Sequence, residues 1–313
     1  MKLHIRAEIY ALLAALANGT IGPLNRFAFQ GGASHHEVAF LKCSGAFLVL
    51  FLWCLFHPAQ RRILFGLAHR ARAFALPSAL GVFSLYFFET WAFAEASIPL
   101  VSFLTYAAGG GTLILSVLIL GERLTLAKTL AFFAILGGVG AIFIFEGRIA
   151  GTTLGILLAL AGGLGYALFI FFAKKLEMGS GLPHLVWLFG FGSLYLAVPF
   201  TQQPLTPVPA SAVWPIVALI IVPTIGGFWF TTRAVQEGNA GSVQIIETSD
   251  PLFASGFALV LFNETLAASG WAGAALIMLG LLLALRRDPP VPALQPSSSA
   301  RQTLPPCPAP PKT

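Results

Sequence analysis

Long apolar runs and short polar breaks alternate along the chain from its first residues to about position 286. The runs occupy roughly 7–29, 37–56, 74–94, 98–120, 128–146, 152–173, 183–200, 211–232, 240–262 and 269–286. A helix needs roughly 20 apolar residues to cross the hydrocarbon core of a bilayer. The pattern therefore predicts ten transmembrane helices with short connections. The longest polar breaks are HPAQRRILFGLAHRARA (57–73) and TQQPLTPVPA (201–210). Beyond Asp288 the hydrophobic pattern stops. The remaining DPPVPALQPSSSARQTLPPCPAPPKT is rich in proline and serine and is predicted to be a disordered tail of polyproline character. Met1–Arg6 is basic, but the apolar run after it continues to Phe29 without a small-residue cleavage site. It reads as a first span rather than a signal peptide.

The runs repeat. LGERLTLAKTLAFFAILGGVGAIFI (120–144) and FNETLAASGWAGAALIMLGLLLAL (262–285) each place a glutamate at the end of one span and a glycine-bearing span after it. Glu122 and Glu264 match at an offset of 142, which also aligns Glu95 with Glu237 and FETWAFAEAS (88–97) with FTTRAVQEGN (230–239). This divides the chain into a five-span unit at 1–146, a second at 147–287 and the tail at 288–313. Five is odd, so the second unit is expected upside down relative to the first: a 5+5 inverted repeat around a central cavity.

Composition agrees with the pattern. Hydrophobic residues make up 57% and charged residues 10%, and the mean hydropathy is +0.83. Soluble domains carry about 25% charged residues. The net charge of +6 is explained by where the basic residues fall. With the N-terminus inside, fifteen of the 18 Lys and Arg lie on the inner side; Arg26 and Arg148 lie outside, and Lys42 falls within a span. That bias predicts both termini in the cytoplasm of a multi-pass cell (inner) membrane protein, and it makes a nucleic-acid partner the wrong reading of the charge. The three cysteines, Cys43, Cys54 and Cys307, suit neither a disulfide framework nor a metal cluster.

Two segments carry a family likeness: IPLVSFLTYAAGGGTLILSVLILGERLT (98–125) and SVQIIETSDPLFASGFALVLFNETL (242–266). With the Gly-Glu turn at 121–122 and the run Asp250-Pro251-Leu252-Phe253-Ala254, they resemble the EamA-type families of the drug/metabolite transporter superfamily over about residues 7–286. The resemblance implies ten helices in two inverted halves around a cavity lined by spans 1, 3, 4 and 8. It also implies a secondary transporter, often an exporter of amino acids or other metabolites, with no cofactor. The chain departs from the family pattern at Asn18-Gly19, where a Trp-Gly pair is frequent, and at Gly109-Gly110-Gly111, where a proline is frequent.

Candidate chemistry concentrates in QIIETSDPLFASG (244–256). Pro251 is expected to bend or loosen its span, and its repeat partner is Gly109, the first of three glycines (Gly109, Gly110, Gly111). Paired discontinuities at matching positions of inverted repeats point to a transporter's central site. Glu247 and Asp250, three residues apart, are expected on one helix face, with Gln244 one turn away. A charge at the bilayer centre costs about 2.5–3.5 kcal/mol on insertion scales, so that face should look into a cavity or onto partners. Such carboxyls could couple proton movement to substrate movement, or they could be an interhelical hydrogen-bonded pair. Lys42 either snorkels to the interface or meets a carboxylate, on the substrate or on Glu89. Asn18, Asn25, Tyr86, Trp91, Tyr106 and Trp229 are further cavity candidates, each equally readable as packing. Glu122 and Glu264 are expected to satisfy N–H groups at the start of the helix that follows each. Glycines in spans 5, 6 and 8 suit close helix packing.

The sequence carries no HExxH, no G-x-S-x-G elbow and no glycine-rich phosphate loop. KCSG (42–45) and FASG (253–256) are partial serine-type matches with no recognisable base. The expectation is therefore a transporter, not an enzyme. It would move amino acids or related amines outward, as a monomer or homodimer in membrane lipid, with protons as a candidate coupling ion. The alternatives left open are an exporter of cationic drug-like compounds, a lipid-linked sugar flippase and an intramembrane sensor of the same architecture.

Overall fold

The computed structural model describes residues 2–108, 126–145, 151–175, 181–204, 207–237, 246–247 and 249–284. Among these the chain is helical, apart from one isolated bridge between Ala96 and Gly151. We number the helices α1 (Lys2–Asn18), α2 (Ile21–Gln30), α3 (His35–Phe56), α4 (Pro58–Gly66), α5 (Arg72–Glu95), α6 (Ile98–Ala108), α7 (Leu126–Phe145), α8 (Thr153–Lys175), α9 (Leu182–Thr201), α10 (Ala210–Leu219), α11 (Phe228–Glu237), α12 (Asp250–Phe262) and α13 (Ala268–Ala284). Among the described residues, five segments are long and apolar enough to cross a membrane: Ala7–Gln30, His35–Phe56, Arg72–Glu95, Leu182–Thr201 and Ala210–Thr231. Shorter apolar helices occupy parts of the other five runs. The surface is apolar too. Phe56, Leu126 and Val260 are 80%, 77% and 82% exposed, which suits a hydrocarbon solvent and would be a liability in water.

Three local features differ from a set of straight rods. The first run is broken at Gly19–Thr20, so Asn18 ends α1 instead of sitting in mid-helix as expected from the unbroken apolar pattern. The Asn-Gly pair is the chemical cause, being a strong turn signal. Gly19 is also required by packing: a Cβ there would lie 2.8 Å from the Cβ of Phe253 on α12. Second, α5 passes through π-helical turns at Ser78–Phe83 and Leu85–Glu89, and α10 runs into α11 through another at Ile220–Gly227. Pro77 precedes the first and Pro223 lies inside the last. Each removes a backbone donor, which favours a locally wider turn. Third, α3 opens on a capping box that the sequence reading passed over, although Ser34-His-His-Glu37 has the spacing. Ser34 N–H donates to Glu37 Oε2 at 2.7 Å, and Glu37 N–H donates to Ser34 Oγ at 3.3 Å.

Helices pack as α3 on α9, α7 on α13, α1 on α11, α2 on α10, α5 on α8, and α6 on both α8 and α12. The α7–α13 contact is reciprocal. A Cβ on Gly138 would lie 2.6 Å from the carbonyl oxygen of Gly273 and press on Ile277. One on Gly280 would lie 2.8 Å from the carbonyl oxygen of Ala131 and press on Ile135. Partner numbers fall as α7 ascends, so the two helices run antiparallel, and backbone touches backbone through glycine on both sides.

Candidate functional site

A polar cluster lies inside the helical assembly, built by residues that the sequence spreads over 200 positions. Lys42 on α3 is 2% exposed, Glu89 on α5 7%, Glu247 9% and Asp250 on α12 5%. Lys42 does not snorkel: its Nζ donates to Thr90 Oγ1 at 2.8 Å and stands 4.5 Å from the centroid of the Tyr86 ring. Glu89 lies within electrostatic reach of Lys42, Tyr86, Tyr166 and Asp250. The π turn ending at Glu89 puts it and Tyr86 on the interior side together.

The two acids of the ETSDP segment (247–251) part company. The α12 helix starts at Asp250, after a turn at Ser249, so Glu247 and Asp250 do not extend one continuous helix face as expected. Pro251 stands in the first turn of α12, where the missing N–H has no helical partner to lose. It thus marks a helix start in place of a bend in mid-span. Asp250 Oδ2 accepts a hydrogen bond from Tyr106 OH at 2.6 Å, from α6. Glu247 Oε1 accepts one from Thr231 Oγ1 at 2.7 Å, from α11. Asp250 also sits in the first turn of α12, where an acid complements the helix dipole. Gln244, Gly109, Gly110, Gly111 and Glu122 lie outside the described residues.

The remaining candidates separate. Asn18 packs against Gly227 of the π turn between α10 and α11. Tyr86 lies close to Thr224. Asn25 is fully buried on α2, with Nδ2 donating to Ile21 O at 2.9 Å and Oδ1 unpartnered among the described residues. Trp91 is not in the cluster: it stacks on His35 (4.8 Å, 9°) at the end of the molecule away from the N-terminus, the far end below. Trp229 is also elsewhere, edge-on to Tyr10 with Arg233 5.5 Å from its ring centroid. Sequence reasoning missed Thr90, Thr231, Thr224 and Tyr166. Of these only Tyr166 carried a signal, as one of five tyrosines in the chain.

The far end is tied by ionic contacts. Arg26 Nη2 pairs with Glu264 Oε1 at 3.1 Å and donates to Ala96 O at 3.0 Å. Glu264 Oε2 accepts from the backbone N–H of Ile98 at 2.9 Å. Glu264 therefore caps α6, which is 166 positions away, and not the helix that follows it as expected. An orphan N–H at a helix start takes an acceptor from wherever the fold supplies one, not only from its own sequence neighbours. Beside this clasp is an open cleft of about 470 Å³ lined by Arg26, Glu95, Ser97, Asn263, Glu264 and Thr265.

Apolar helices with lipid-suited surfaces around a buried polar cluster define a multi-pass membrane protein of the transporter class. The chain belongs to the EamA-like transporter family, whose model matches it twice, over residues 5–144 and 153–286. That places it in the drug/metabolite transporter superfamily. It is 27% identical to an uncharacterized transporter of Archaeoglobus fulgidus, over 284 residues that cover 89% of this chain and 96% of that protein. A protein of known crystal structure is similar in fold, with a TM-score of 0.63 at 16% identity, covering 89% of this chain and 96% of that one.

Proposed function

We propose that this protein is a secondary transporter that exports small amine-bearing metabolites, amino acids or related amines, by alternating access. Its ten helices form two inverted five-helix halves at 1–146 and 147–287, in the cell (inner) membrane with both termini cytoplasmic. The two matches to the family model support the duplication. So do the π turns at Ser78–Phe83 and Ile220–Gly227, which begin 142 positions apart, the offset that relates Gly138 to Gly280. The antiparallel run of α7 and α13 is the relation that inversion requires.

The observation that carries the functional reading is the buried cluster of Lys42, Glu89, Glu247 and Asp250, contributed by both halves. Ionisable groups inside a membrane protein are costly and face a functional interior. Glu247 and Asp250 are the candidate carriers of a coupled proton. Efflux from proteoliposomes loaded with a mixture of amino acids and amines, under an imposed proton gradient, tests this. The expectation is gradient-driven flux that Asp250→Asn abolishes and Glu247→Gln alters in rate or pH profile. Flux indifferent to both substitutions and to the gradient refutes it.

A further inference from the structure

The polar break at 57–73 joins two spans, His35–Phe56 and Arg72–Glu95, and takes no part in the buried cluster. It carries Arg61, Arg62, Arg70 and Arg72 and no acid. Its first half folds as α4, with Pro58 in the first turn, and packs on α3 and α9. One side of α4 faces the protein: Leu64 is 2% exposed, and its carbonyl accepts from Trp187 Nε1 at 3.0 Å. Trp187 stands five positions after Leu182, where the spanning helix α9 begins, which is roughly 7 Å along that axis. A helix held at that depth lies at the headgroup boundary and not in open water. Trp53, near the end of α3, is 52% exposed and stacks on His57 at 4.1 Å; it marks the same boundary, where tryptophan concentrates.

The outward side of α4 brings together Arg61, Arg62 and Phe65. Phe65 follows the arginines by four and three positions, so the three share one face, with the ring between the two guanidiniums. Phe65 is 57% exposed and Ile63 46%. Both arginines are exposed, and neither is ion-paired to an acid among the described residues. Water suits the guanidiniums and not the ring; hydrocarbon suits the ring and not the guanidiniums. An anionic phospholipid suits both, since its phosphate meets the planar N–H forks while its acyl chains meet the ring. We propose that α4 is a lipid-binding helix, on which Arg61 and Arg62 receive the phosphate of an anionic phospholipid and Phe65 lies against its acyl chains. A break with four arginines and no acid selects a lipid of net negative charge over a zwitterionic one.

A comparison of two lipids tests this on the unaltered chain. Purified full-length protein, delipidated in a neutral detergent, is titrated with phosphatidylglycerol or phosphatidylcholine of identical chains bearing a fluorescent acyl label, and energy transfer from tryptophan reports binding. Each arginine near an anionic headgroup is worth about fivefold, so phosphatidylglycerol binds about thirtyfold tighter. Arg61→Gln with Arg62→Gln brings the two lipids to within about threefold of each other. Phe65→Ser weakens both lipids alike. Arg233→Gln, which removes a charge from α11, leaves the preference unchanged. Equal binding of the two lipids by the parent, a preference that survives the double substitution, or one that Arg233→Gln lowers as much, overturns the proposal. Free sn-glycerol 1-phosphate in about hundredfold excess should not displace the lipid. Displacement would assign the arginines to a soluble phosphate and overturn the proposal as well.

Discussion

Glu264→Gln tests the far-end clasp most directly. The substitution keeps the shape and an acceptor oxygen but removes the charge that faces Arg26 at 3.1 Å and the N–H of Ile98 at 2.9 Å. The two side chains of the pair are 24% and 22% exposed, so its worth is set near the upper end for ion pairs that retain some water, about 1 kcal/mol. Replacing a charged acceptor by a neutral one at Ile98 loses roughly another 1 kcal/mol. Arg26 keeps its bond to Ala96 O, so the clasp is weakened by about 2 kcal/mol and not abolished. The clasp joins α2 and the α5–α6 turn to the α12–α13 connection. If the far end must part there to open, 2 kcal/mol shifts that equilibrium by about thirtyfold.

The readout is a reporter cysteine at Ser97, which lines the adjacent cleft. It is placed in a background lacking Cys43, Cys54 and Cys307, and labelled with a membrane-impermeant maleimide. Labelling is expected to accelerate at least about tenfold in Glu264→Gln, and the charge-swapped pair Arg26→Glu with Glu264→Arg to bring it part of the way back. High salt should speed the parent toward the variant, since the pair is partly wet. A labelling rate within about twofold of the parent, in a variant that folds normally, refutes the claim that this pair holds the far end shut.

Three further outcomes are expected. Gly163→Ala places a methyl against the carbonyl oxygen of Thr105 and should cost about 1–3 kcal/mol in detergent unfolding, with α6 pushed off α8; unchanged stability refutes that close approach. Thr231→Val removes the donor to Glu247 and should slow transport at least about tenfold, whereas Thr231→Ser retains it; equal rates for the two would show the hydrogen bond to be incidental. Ser34→Ala breaks the α3 capping box and should lower stability by about 1 kcal/mol while leaving substrate affinity unchanged, which thermal unfolding and calorimetry together check.

Much of this architecture could be read from the chain, because in lipid the apolar run itself dictates the helix. The acids Glu247 and Asp250 and the lysine Lys42 were conspicuous for the same reason: a charge amid apolar residues has few physical excuses. What the sequence hid was partnership. Thr90 and Thr231 look like any hydroxyl in an apolar helix, and only folding reveals that one accepts a hydrogen bond from a lysine and the other donates one to a glutamate. Glu264 invited a local explanation, since the next helix begins four positions on, yet its bonds run to Arg26 and Ile98. The π turns were announced by Pro77 and Pro223, but a proline alone does not say whether a helix kinks, widens or stops. The break after Asn18 was written as Asn-Gly and was masked by the apolar residues on either side.

The glycine seam between α7 and α13 bears on how such a molecule could move. Its two backbone contacts, Gly138 on Gly273 and Gly280 on Ala131, are separated along both helices, and neither has a side chain that could bend to absorb sliding. Shear along the seam would drive carbonyl oxygens into backbone, whereas rolling one helix over the other leaves both contacts nearly in place. The pair thus has the mechanical character of an axle. A covalent staple across it should be tolerated through the full cycle, while one across the Arg26–Glu264 clasp should lock it.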